Sequence, residues 1–210
     1  MISSITKIMN GRSVDTSMGF TPLEGVVMGT RSGDIDCALI PHVAGCLVES
    51  LGIDEAESYR RVMHALNKES GLKALADTNM MQDIRQKALE GDVMAELAVS
   101  IYSYKVAKYI GAYWATLPYT NSIIFTAGLG ENEGYIRKKI LSFLGNLSII
   151  VNEENNNIRK KEIEIGTSRV NPSVPLSVMV IPTDEEIVIG YDAFYIGNLN
   201  QVYPFELQGN

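Results

Sequence analysis

The chain has 210 residues, 46% of them apolar and 20% charged, with a net charge of −7 and a pI near 4.9. That balance supports a sizeable core and argues against disorder, and the acidity argues against a nucleic-acid binder, which would show a basic face. Two cysteines and two histidines, with no Cys-X-X-Cys spacing, weigh against a structural zinc site or a disulfide framework.

Reduced thiols suit a cytoplasmic protein. The N-terminus lacks an apolar run of signal-peptide length, and no run reaches membrane-spanning length, so no membrane partner is expected. Residues 3–9 read as a strand on their β-branched content. Asn10-Gly11 is a hairpin signal that returns residues 12–16 as a second strand. From Thr16 to Asp34 the sequence is a poor helix and a poor strand, because Gly19, Gly25, Gly29, Gly33 and Pro22 break both periods. Loops of this composition bring backbone N–H groups and hydroxyls close to a ligand. Arg31 is the fixed cation among them, shaped to clamp a phosphate or a carboxylate. A long surface loop with a solvated arginine reads equally well from these residues alone.

A helix is expected over 35–51, capped by Asp34 or Asp36, with Pro41 kinking its start or delaying it and Gly52 ending it. Another runs from Asp54 to about Ser70, with Gly71 after it. Asp77-Thr78-Asn79 forms a turn, and a short helix over 80–89 carries Asp83 and Arg85. Those two charges read as a solvated surface pair. The longest helix spans 93–117, with Met94, Leu97, Ala98, Ile101, Tyr104, Val106, Tyr109, Ile110 and Tyr113 as its apolar positions, and Pro118 ends it. Aromatics at that spacing indicate core or a subunit interface.

Residues 122–126 have the pattern of a strand buried on both faces. Gly128-Leu129-Gly130-Glu131-Asn132 turns from it into a helix over 133–144. Orphan N–H groups and the helix dipole favour an anion or a nucleotide there, although the spacing fits neither the P-loop nor the Rossmann fingerprint. A tight strand-to-helix turn without a ligand reads equally well. A second strand is expected over 147–151, an exposed polar connection over 152–161, a small strand over 162–165 and a third apolar strand over 177–181. Pro182 to Glu186 is a second strand-to-helix turn, with Thr183 or Asp184 as cap and a helix over 185–197. Glu185 and Glu186 there either hold Mg²⁺ beside phosphates or offset the helix dipole. The tail, 198–210, has no clear period. The whole reads as one α/β domain with a helical insertion.

Residues 13–25, Ser-Val-Asp-Thr-Ser-Met-Gly-Phe-Thr-Pro-Leu-Glu-Gly, followed by residues 29–36, Gly-Thr-Arg-Ser-Gly-Asp-Ile-Asp, resemble the signature block of the acetate and propionate kinases. The similarity continues through residues 181–186, Ile-Pro-Thr-Asp-Glu-Glu. The resemblance implies an actin-like ATPase (ribonuclease H-like) α/β fold. Residues 1–197 would form the C-terminal nucleotide-binding domain, with a helical insertion over about 35–117 and a tail over 198–210. Family chains are about twice as long, so the family's N-terminal domain would be absent. The activity implied is phosphoryl transfer between ATP/ADP and acetate or propionate, with Mg²⁺. The chain alone would be inactive, or a non-catalytic nucleotide-binding or dimerising remnant. Arg31 would contact the transferring phosphate and the substrate carboxylate, and Pro22 the acyl methyl. Asp83, Ile84 and Arg85 would border adenosine, Gly128, Leu129, Gly130 and Asn132 would hold adenine and ribose, and Glu185 would help bind magnesium. The partners implied are a second copy of the chain and a separate N-terminal half. Ala127 stands where the family usually has glycine, and Cys37-Ala38 replaces its usual Pro-Gly or Pro-Ala.

Overall fold

The computed structural model describes residues 2–197, so the expectation for the tail at 198–210 lies outside the described residues. Strands β1 (Thr6–Met9) and β2 (Arg12–Thr16) form the expected antiparallel hairpin. Asn10 and Gly11 both take positive φ, 52° and 74°, as the tight turn with the strands' own twist requires.

Helix α1 (Leu39–Leu51) starts later than residue 35, which leaves Pro41 in its first turn, where the missing N–H costs no hydrogen bond. Gly52 closes it in the left-handed conformation, its N–H bonding to the Val48 carbonyl. Helix α2 (Glu55–His64) is capped by the Asp54 carboxylate, which accepts from the Glu57 N–H. The single helix expected to residue 70 does not form. A π-helical turn, Ala65–Glu69, interrupts it, and α3 (Gly71–Ala76) follows. Gly71 is therefore the first residue of a helix and not a stop.

Helices α4 (Met81–Leu89) and α5 (Val93–Thr116) are as long as expected. The Asp92 carboxylate caps α5, accepting from the N–H groups of Met94 and Ala95. The buried face of α5 matches the expected one in part: Ala98 and Val106 are buried, and Ile101, Tyr109 and Ile110 pack against the core. Ala95, Val99, Tyr102 and Ala107 are buried as well, whereas Met94, Leu97 and Tyr104 are exposed. Small residues let α4, α3 and α7 lie close against α5, and the larger side chains are left outside.

The larger sheet has strand order β3-β6-β5-β4, from β3 (Ser122–Phe125), β4 (Ile150–Val151), β5 (Ile163–Ser168) and β6 (Leu176–Val180). β3 and β6 are parallel, and β5 is antiparallel to β6 and to β4. β3 is not buried on both faces: Ile123 and Phe125 face the core, while Ile124 is 49% exposed at the sheet edge. The open glycine turn after β3 is a short helix, α6 (Ala127–Asn132), followed directly by α7 (Gly134–Ser142). The polar connection expected over 152–161 contains α8 (Glu153–Asn156), and Asn156 is buried. Helix α9 (Glu185–Gly197) follows β6. One hydrophobic cluster joins these parts, running from Val26 and Val27 through Leu72, Ile84 and α5 to Phe125, Ile136 and Val178. Among the described residues no helix is long and apolar enough to cross a membrane.

Candidate functional site

Arg31 lies on a loop that is held tightly, not on a loose surface segment. The Asp34 carboxylate accepts from the Gly25 N–H at 2.8 Å, while the Asp34 N–H donates to the Gly25 carbonyl at 2.9 Å, closing the loop into a ring. Lys105 and the Tyr109 hydroxyl, both on α5, reach the same carboxylate at 3.5 and 3.1 Å. Burial first, then the negative Asp34 carboxylate, pushes the Tyr109 hydroxyl up to about 12. On the other side the π-helical turn supplies spare carbonyls, as such turns do. Leu66 accepts from the Ser32 N–H, and Asn67 accepts from the Thr30 hydroxyl. The N–H groups of Leu72 and Lys73 at the start of α3 donate to the carbonyls of Met28 and Gly29. Gly71 is forced by this fit: at φ 66° a Cβ would stand 2.3 Å from the Met28 carbonyl oxygen. Arg31 itself is half-buried, with Nη1 3.8 Å from the Met28 sulfur, and it forms no ion pair among the described residues. A positioned guanidinium without a carboxylate partner suits an anionic ligand. Pro22, by contrast, sits on the exposed stretch beside Phe20.

A second cluster gathers where β3 meets α6 and α7. Asn132 donates from Nδ2 to the Gly128 carbonyl, and Gly130 lies so close to β3 that a Cβ would be 3.2 Å from the Phe125 carbonyl carbon. Ala127 opens α6 at φ 58°, a left-handed conformation that favours glycine. The corner is tied to its neighbour at the end of β6, because the Glu131 carboxylate accepts from both the N–H and the hydroxyl of Thr183. Asp184, not Thr183, caps α9, accepting from the Ile187 N–H. Glu185 is exposed in the first turn of α9. Among the described residues no three acidic, histidine or cysteine side chains gather as a metal site. A single carboxylate still fits Mg²⁺, which is commonly held by one or two carboxylates together with substrate phosphates and water.

Asp83 and Arg85 do not pair with each other. Asp83 is exposed and accepts from the Thr78 hydroxyl at 3.4 Å, while Arg85 turns inward to Glu133, Nε to Oε2 at 3.3 Å. Ile84 between them is fully buried, so its side chain serves the core. Arg85 and Asn132 line one cavity of about 270 Å³ together with Glu133, Tyr135 and Arg137. That volume is just below the range of about 300–1,000 Å³ usual for small-molecule sites. A larger apolar groove, about 740 Å³, lies between α1 and α2 beside Leu39, Val43 and Leu66, and holds none of the predicted residues. The structure thus brings Arg85 to the same cavity as Asn132, and the Glu131–Thr183 hydrogen bonds tie the corner to the turn that precedes Glu185. Arg31 and Pro22 belong to a separate loop, joined to that corner through the shared core.

Two residues that shape the corner, Arg137 and Asn156, were not singled out by sequence. Arg137 is 2% exposed and donates to the Gly130 carbonyl at 2.7 Å and to both Oδ1 and the backbone carbonyl of Asn156. Asn156 in turn donates to the Gly134 carbonyl. Burial pulls the Arg137 guanidinium down from its ordinary value, and the Glu133 carboxylate opposes that shift. The available signal was a charged residue on the apolar Ile136–Ile140 face of a helix, four positions after an acid.

The family model described as "Acetokinase family" matches residues 2–191. An acetate kinase of Fervidobacterium nodosum is 47% identical over 193 residues, covering 90% of this chain and 45% of that protein. An acetate kinase of Methanosarcina mazei is 44% identical over 191 residues, with 90% and 44% covered. Among solved structures, a propionate kinase from Francisella tularensis superposes with a TM-score of 0.74 at 39% identity, covering 89% of this chain and 44% of that one. The Porphyromonas gingivalis acetate kinase gives a TM-score of 0.74 at 35% identity, with 92% and 46% covered. The chain therefore spans under half the length of the relatives it matches, and the α/β fold expected from sequence is borne out.

Proposed function

The chain belongs to the acetokinase family, and from that premise we propose that residues 1–197 carry the nucleotide-binding half of a phosphotransferase acting on a short-chain carboxylate such as acetate or propionate. The observation that carries this reading is one cavity lined both by Arg85 of α4 and by Asn132, the last residue of the Gly128–Asn132 corner. In this reading α6 and Arg85 hold the adenosine end of ATP or ADP, with Asp83 at the rim. Arg31, free of any carboxylate among the described residues, faces the phosphate and the substrate carboxylate. Phosphoryl transfer spreads charge over equatorial oxygens, so a fixed guanidinium contributes by stabilising that charge. Pro22 borders the acyl methyl. Glu185 supplies one oxygen toward Mg²⁺, and the metal, when bound, neutralises phosphate charge.

The domain reading belongs to the same proposal: the helices over about 35–117 are an insertion in the nucleotide-binding domain. The exposed Met94, Leu97 and Tyr104 on α5 support pairing with a second copy of the chain. A light-scattering mass equal to one chain would remove that pairing.

Calorimetric titration with ADP and Mg²⁺ tests the nucleotide reading, and one site per chain is expected. Acetyl phosphate formation, assayed with and without a separately expressed family N-terminal half, tests the chemistry. Binding with no turnover in either assay would leave a non-catalytic nucleotide-binding protein. No heat of binding would remove the reading.

A further inference from the structure

Glu133 occupies an unusual place. It ends α6 and begins α7, at φ −114° and ψ 78°, and its N–H donates to the Leu129 carbonyl while its own carbonyl accepts from the Arg137 N–H. Its side chain is only 4% exposed, yet it carries a carboxylate. Burying an ionised carboxylate is costly unless a cation compensates it. Two do so here. Arg137 interacts with it electrostatically from α7, and Arg85 reaches it from α4 at 3.3 Å. Arg85 Nε is itself buried and has no aligned hydrogen bond among the described residues, so the Glu133 carboxylate is what faces it. Arg137 meanwhile is fixed by Gly130 and Asn156. The carboxylate thus sits between one immobile guanidinium and one that the rest of the site leaves under-constrained.

We infer that Glu133 is a positioning residue: it acts through Arg85, fixing that guanidinium on the wall of the cavity that Asn132 also lines, so that α4 and α6 present one surface to a nucleotide. The inference rests on the nucleotide reading above. Side chains held in place before binding do not have to be ordered by the ligand, and that difference appears as affinity. Contacts of this kind are commonly poorly aligned without ligand and tighten in the complex.

The test is a double-mutant cycle read by ADP titration of the full chain. Glu133→Gln is expected to weaken ADP binding about tenfold. In an Arg85→Gln background the same change is expected to alter affinity less than twofold, because there is no guanidinium left to position. Glu133→Asp keeps the charge beside Arg137 but draws it back from Arg85, and about a threefold loss is expected. That variant carries the test if Glu133→Gln does not fold, as judged by circular dichroism. A merely structural role would weaken binding equally in both backgrounds, and that result overturns the inference. So does ADP binding unchanged in the Gln or Asp variant. If the unaltered chain binds no ADP, the nucleotide reading fails first and this inference fails with it.

Discussion

Two adjacent loops of this chain differ in how firmly the rest of the fold holds them. Residues 17–24 carry one glycine, Gly19, with Pro22, and residues 25–34 carry three, Gly25, Gly29 and Gly33. The first is largely exposed, and Phe20 at its tip has no neighbours to shield it. The second buries Val26 and Met28, closes on itself through Asp34, and is held by α3, α5 and the π-helical turn. The loop with more glycine is the one held more tightly, so glycine content alone does not report how firmly a loop is anchored. What decides is whether the backbone N–H and C=O groups find protein partners or water. The loop that carries Arg31 finds them on three sides.

Four changes sharpen or break that contrast. The largest effect is expected at Gly71, where a Cβ meets the Met28 and Arg31 carbonyl oxygens at 2.3 and 2.6 Å. Gly71→Ala is expected to cost about 3 kcal/mol in urea unfolding, whereas Gly11→Ala, at similar φ but in open space, should cost about 1 kcal/mol. Equal losses would mean that the loop does not press on α3. Next comes Asp34→Ala, which removes the partner of Gly25, Tyr109 and Lys105 together. A loss of about 1–2 kcal/mol is expected, with faster amide exchange over 25–34.

The third is a pH effect. Tyr102, Tyr109 and Tyr113 all have hydroxyls raised to about 12, in each case mainly by burial. A raised value means that the folded chain keeps protons the unfolded chain has already released. The stability they contribute is therefore whole below pH 10 and is lost as pH rises toward 12. Tyr109→Phe should make that decline shallower, and an unchanged slope would detach Tyr109 from Asp34. The smallest effect is expected at Phe20→Ala, within about 0.5 kcal/mol of the parent chain, since the ring is exposed. A large loss there would show that the first loop is as constrained as the second.

Much of this was legible in the sequence because the signals were local. Asn10-Gly11, the caps Asp54 and Asp92, and the stop at Gly52 each act within one turn of chain, and each is found where its chemistry requires. The Gly128–Asn132 run marks the strand-to-helix corner after β3, although it reads as an open turn and is the helix α6. What escaped depends on partners distant in sequence. Gly71 reads as a helix stop until the Met28 loop is laid against it. The three asparagines from 155 read as solvated until Arg137 buries one of them. Asp83 and Arg85 read as a pair until Thr78 and Glu133 separate them. On α5 the spacing finds Ala98 and Val106 but misses Ala95 and Ser103, which close helix packing selects, and it includes Met94, Leu97 and Tyr104, which are exposed. Residue spacing reports one helix face well and its neighbours not at all.

The central claim is that the nucleotide sits at the α4–α6 corner and not in the larger apolar groove between α1 and α2. Amide hydrogen exchange followed by mass spectrometry, with and without ADP and Mg²⁺, tests it directly. Protection confined to 83–85 and 127–134 with ADP, extending to the Arg31 loop when ATP replaces it, is the predicted result. Protection over 39–66 with none at the corner would contradict the account.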